Sequence, residues 1–136
     1  MINELITLIR NQDNDLQELL ELLETQYKMI MSKDVFGLEG LVDEINECGK
    51  KIAKVEVERR KLINNGSMKE IVYESNSQEL KGLYAKVKDL LNTVVSRKET
   101  NDLLLKQQII FNNKMIQLMN PSREMKTYNS YGSLSR

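Results

Sequence analysis

The chain has no histidine and no tryptophan, one proline, one cysteine and two phenylalanines in 136 residues. Without histidine there is no Ser-His or Cys-His nucleophile pair and no imidazole metal ligand. A single thiol, Cys48, excludes an internal disulfide and cannot build a zinc site. It lies on an apolar stripe, so it reads as a small core residue. With one proline and six glycines, residues that break helices are scarce, and the composition favours long helices. Charge of either sign is not in excess. Twenty basic and twenty acidic residues cancel, which speaks against a nucleic-acid partner. No run approaches ~20 apolar residues, so no membrane insertion is expected. Met1-Ile2-Asn3-Glu4-Leu5 lacks the positive start and cleavage site of a secretory signal. The expected location is the cytoplasm.

What is present is helical periodicity. Ile2, Ile9, Leu16, Leu23 and Ile30 recur every seven residues, with Leu5, Ile6, Leu19, Leu20 and Tyr27 filling the three and four spacings. This predicts an amphipathic helix over 2–31, roughly 45 Å long at 1.5 Å per residue. Gln12 and Gln26 interrupt its narrower stripe, which argues against a strict two-stranded zipper seam. Ser32 or Asp34 can cap a second helix over 34–63, whose stripe is Leu38, Leu41, Ile45, Cys48, Ile52, Val55 and Leu62, interrupted by Arg59. Gly37, Gly40 and Gly49 weaken that helix by roughly 1 kcal/mol each relative to Ala. Asn64-Asn65-Gly66 ends it through a left-handed cap. Ser67 and Glu70 form a capping box for a short helix from Met68 to Tyr73.

Ser75-Asn76-Ser77 opens a last long helix over 77–120, with Asn76 and Glu79 as another capping box. Leu80, Leu83, Tyr84, Val87, Leu90, Leu91, Val94 and Val95 form its first stripe. A polar stretch, Arg97-Lys98-Glu99-Thr100-Asn101, follows, and the apolar pattern resumes from Leu103 to Met119 before Asn120-Pro121 stops the helix. Residues 122–136 have no periodicity and read as a flexible tail. The expected architecture is all-α: an elongated antiparallel three-helix bundle over 1–120, with the tail over 121–136.

The last helix, ~65 Å long, exceeds the first two by about 20 Å. Its surplus, about residues 107–120, is expected to project beyond the other helices. Leu104, Phe111, Met115 and Leu118 make one stripe there; Leu105, Ile109, Ile116 and Met119 make a second about 100° away. Either the stripes touch neighbours within the bundle or they receive an outside helix. Methionines on such a surface adapt to a partner's shape.

The charged clusters carry no chemistry. Glu21 and Glu24, or Asp43, Glu44 and Glu47, have the spacing of a solvated helix face. Lys50-Lys51-Lys54 and Arg59-Arg60-Lys61 are interleaved with Glu56 and Glu58 as surface pairs. Gly37 and Gly40 do not make a phosphate cradle. Ile9-Arg10 followed by Leu19-Leu20-Glu21-Leu22-Leu23 loosely resembles the first helix of all-helical chorismate mutases. The Ile-Asp pair of that family is missing, and its second arginine falls on Gln26 or Tyr27, so no cationic clamp for a dicarboxylate exists. No enzyme activity, metal or cofactor is expected.

Four segments near the C-terminus carry a more specific resemblance. Lys98-Glu99-Thr100-Asn101-Asp102-Leu103-Leu104, Gln108-Ile109-Ile110-Phe111, Met115-Ile116-Gln117-Leu118-Met119-Asn120-Pro121 and Thr127-Tyr128-Asn129-Ser130-Tyr131-Gly132 are similar to flagellar export chaperones of the FlgN type. The family pattern has two Asn three residues apart, a Leu, an apolar stretch, a helix end near Pro, and a tail with Tyr and Gly. Here the first Asn position is Lys98, and Asn101 matches the second. The resemblance implies a cytoplasmic chaperone that binds hook-associated proteins of the hook–filament junction through their C-terminal amphipathic helix. It would keep them unassembled and deliver them to the cytoplasmic domain of the flagellar export gate protein. The implied client-binding residues are Asn101, Leu105, Ile109, Asn112, Met115, Ile116 and Met119. The implied gate-docking residue is Tyr128, with Tyr131 as second choice. The competing reading is a self-associating helical scaffold, whose overhangs pair in a homodimer.

Overall fold

In the computed structural model, residues 1–120 are described in full; beyond them, the backbone of 127–128 and 134–135 is described. Helix α1 spans Ile2–Ser32, α2 Val35–Leu62, α3 Met68–Glu74 and α4 Gln78–Met119. Two short segments, β1 (Thr127–Tyr128) and β2 (Leu134–Ser135), pair antiparallel. The chain is thus a helical bundle with a long C-terminal helix. It divides into two compact units, Met1–Lys98 and Glu99–Arg136. The division falls within the polar stretch 97–101 that interrupts the apolar pattern of α4.

The helix boundaries follow local chemistry. Lys33 adopts a left-handed conformation (φ 58°) and its N–H returns to the last carbonyls of α1. Asp34, rather than Ser32, is the cap of α2: its Oδ1 accepts from the Gly37 N–H at 2.9 Å. A Cβ at Gly37 would lie 2.5 Å from Asp34 Oδ2, so any other residue there would push the capping side chain aside. Asn64 and Asn65, at φ 54° and 60°, turn the chain after α2. The Ser67 hydroxyl accepts from Glu70 N–H at 3.3 Å and starts α3. One cap differs from expectation. Ser77, not Asn76, starts α4: its Oγ accepts from Leu80 N–H at 3.2 Å, while Asn76 takes φ 56° to make the turn. Asparagine tolerates that conformation, so it turns the chain and leaves the capping to the next hydroxyl.

Within Met1–Lys98, α1 is the central element. Its residues Leu5, Ile6, Ile9, Leu16 and Leu23 are buried in one cluster with Val72, Leu80, Val87 and Val94. Complete burial of one such side chain is worth about 1.5–3 kcal/mol. Paired side chains show the helix directions. Gln12 accepts from Arg59 at 2.9 Å and Glu18 from Lys51 at 2.8 Å, so α1 and α2 run antiparallel. Arg10 pairs with Glu79, Asp13 with Lys86 at 3.0 Å and Glu24 with Arg97 at 2.9 Å, so α1 and α4 run parallel. The Arg97 guanidinium also lies 4.8 Å from the Tyr27 ring centroid.

A polar layer crosses this core. Gln12 and Asp13 are both buried on α1. Gln12 bonds Arg59 of α2, the residue that interrupts its apolar stripe, and Asp13 bonds Lys86 of α4 and Gln17. Buried polar groups are costly when left without hydrogen bonds, and Arg59 Nε in this layer has no such partner among the described residues. A helix slipped by one turn would leave these side chains enclosed without partners, so the layer specifies register. Cys48 is buried as expected, with Sγ 3.3 Å from the Asp15 carbonyl. Burial pushes its thiol pKa up, and the nearby Glu18 carboxylate adds to the rise.

In α4 the residues buried every seven positions are Leu80, Val87 and Val94. Leu91 and Val95, read as part of the same stripe, are 45% and 46% exposed at its edge. The next position in the seven-residue series is Asn101, and it is fully buried.

Candidate functional site

The segment of α4 in the second unit runs from Glu99 to Met119. Leu, Gln, Lys and Met are good helix formers, so this stretch stays helical without a glycine or proline. It ends where Asn120 donates to the Ile116 carbonyl at 3.1 Å. Pro121 then disfavours helical geometry at Asn120 and ends the ladder.

The structure separates the residues read from the sequence into two groups. Asn101 has no exposed surface, and Leu105 and Ile109 are half-buried. Asn112 is exposed, with Met115 at 40%, Ile116 at 45% and Met119 at 74%. The family position at Asn101 is therefore an enclosed polar residue, and the open part of that face begins near Asn112. Of the tail residues, Tyr131 lies outside the described residues. Tyr128 is described only by the backbone pairing of Thr127–Tyr128 with Leu134–Ser135.

Two open residues were not placed on a stripe by sequence reading, Leu103 and Ile110. Both are exposed, as are Phe111 and Leu118. At about 100° per residue, Leu103, Ile110, Phe111 and Leu118 lie around one side of the helix. Leu105, Ile109, Asn112, Met115, Ile116 and Met119 centre about 150° away. The signal was available in the sequence as the spacing from 103 to 110 and from 111 to 118. It was obscured because the segment is apolar around most of its circumference.

The acids of this segment, Glu99 and Asp102, lie at its start, with Asp102 one turn before Lys106. From Leu103 to Met119 the only ionisable side chains are Lys106 and Lys114, both exposed. No group of acids and cysteine able to hold a metal exists among the described residues. No helix among them is long and apolar enough to cross a membrane. A smaller apolar spot, Met31, Val35 and Phe36, sits at the turn between α1 and α2 in the first unit.

Exposed large apolar side chains along one helix are the kind of surface that protein-binding modules present. The comparisons give the family. A family model described as FlgN protein matches residues 1–136, and the chain belongs to that family. It is a flagellar export chaperone of FlgN type, a family that acts in flagellum biogenesis by binding flagellar proteins and is not a family of enzymes. Searches of curated proteins and of solved structures return no match.

Proposed function

We propose that this chaperone holds hook-associated proteins of the hook–filament junction in the cytoplasm, and that the client's C-terminal amphipathic helix lies along α4. The contact residues are Leu105, Ile109, Asn112, Met115, Ile116 and Met119. Asn101, being enclosed, positions this segment without touching the client. What carries the reading is the exposure of Met115, Ile116 and Met119 along one face of α4. An amphipathic helix laid along them removes that apolar surface from water, and the same helix is then unable to take part in assembly of the client.

The loaded chaperone docks on the cytoplasmic domain of the export gate protein through Tyr128, with Tyr131 as the alternative. The support for this step is the similarity of the segment 127–132 to the tail of the family. A tyrosine joins a large apolar ring to a hydroxyl, which suits it to anchor a small contact.

The decisive experiment is titration of the chain, by calorimetry, with each hook-associated protein and with the same proteins lacking their C-terminal helix. Binding that disappears with the helix supports the proposal. Binding that survives the deletion undiminished, or a chain that forms dimers and binds no such protein, refutes it.

A further inference from the structure

The apolar character of α4 between Leu103 and Met119 is too wide for one partner helix. Apolar side chains are spread over an arc of about 260° of its circumference, interrupted by Lys114, Gln107, Gln108 and Asn112, and the continuous polar sector, from Asp102 through Asn113 and Lys106 to Gln117, covers about 100°. A single packed helix covers a stripe of about 100°. A helix seated on Ile116 and Met119 would leave Leu103, Ile110, Phe111 and Leu118 in water. These are 57%, 47%, 56% and 75% exposed.

Charge separates this second stripe from an ordinary apolar edge. Lys114 lies within it and Lys106 lies beside it, and no acid falls between residues 103 and 119. Neither lysine makes an ion pair among the described residues. Their stems can lie along an apolar partner while their ammonium groups reach acids at its rim. Pairing with a second copy through this same stripe would bring lysines toward lysines, which disfavours self-association here.

Resting on the client reading above, we infer that the client closes on α4 with two amphipathic helices. One lies on the Ile116 face, and a second, acidic helix lies on the Leu103–Leu118 stripe. The client therefore encloses the helix instead of lying along one side of it. The acidic helix belongs to the part of the client that precedes its C-terminal helix.

The test compares two forms of one hook-associated protein, the full chain and a peptide of its C-terminal helix. Each is titrated with wild type, with Ile110→Ser/Leu118→Ser, and with Lys106→Glu/Lys114→Glu. Circular dichroism confirms that the variants keep their helices. The expected result is at least a tenfold loss of affinity for the full client in both variants, with the peptide affinity unchanged. The Lys variant should also show a weaker dependence on salt. An unchanged affinity for the full client overturns the two-helix arrangement while leaving the client assignment standing. An equal loss for the peptide overturns it too, because one helix would then occupy the stripe. If the Ser variant alters only the sedimentation of the free chain, the occupant is a second copy and the inference fails. If wild type binds neither form, the client assignment itself falls, and this arrangement with it.

Discussion

Replacing Ile116 with Asp tests the functional surface at one atom cluster. Ile116 is 45% exposed, and it sits between Met115 and Met119, which are 40% and 74% exposed. The seven most open apolar side chains of the segment leave roughly 100 Å² each in water, on the order of 700 Å² together. That approaches the ~800 Å² that each partner contributes to a stable complex, so the surface is large enough to hold a client. Covering the open half of Ile116 contributes about 2 kcal/mol at ~25 cal/mol per Å². A carboxylate there loses that term and is also stripped of water without a partner, so the total is above ~3 kcal/mol. The dissociation constant should rise more than ~100-fold. The covered half of Ile116 sets the cost to folding. It is worth at most about 2 kcal/mol, and less because part of that cover persists in the unfolded chain. The assay is calorimetric titration with the client beside thermal unfolding of the free chain. Affinity within about threefold of wild type, with the fold intact, would refute the surface. Unfolding at ordinary temperature would show that Ile116 belongs to the core.

Other outcomes follow from the same structure. Leu80→Ala, at a position with no exposed surface, should cost about 2–5 kcal/mol in urea unfolding. Gly40→Ala meets nothing within 4 Å, so it should gain up to about 1 kcal/mol from helix propensity. Gly37→Ala should gain nothing, because the new Cβ displaces the Asp34 cap; equal gains at both positions would discount the clash. Cys48 should alkylate slowly in the native chain at pH 8 and rapidly in urea, since burial holds its thiol above the ordinary range. Tyr128→Ala should leave client affinity unchanged and weaken binding of the loaded chaperone to the gate's cytoplasmic domain by tenfold or more; equal gate affinities would remove the tail from the docking step.

The helices were legible in the sequence because backbone hydrogen bonding within a helix is local. Seven-residue spacing, capping side chains before α2 and α4, and Pro121 after the last run place the ends of α1, α2 and α4 within two residues of where they fall. The burial of Cys48 could be read for the same reason, since one stripe of an amphipathic helix must face the core. The family motif between 95 and 132 was legible as a pattern of residue types, and the family match covers the whole chain.

Tertiary structure decided the rest. Gln12 and Arg59 each read as an interruption of a stripe; only packing shows that they interrupt it at the same level and bond each other. Asn76 and Ser77 both have capping side chains, and the choice between them depends on which residue must make the turn after α3. The surface of α4 shows the limit most plainly. Periodicity marks apolar positions around nearly the whole helix, and it cannot say which of them neighbours will cover. Packing encloses Asn101, half-covers Leu105 and Ile109, and leaves Leu103, Ile110 and Ile116 open. A helix's pattern is written along one chain, whereas the burial of each side chain depends on atoms that are distant in sequence.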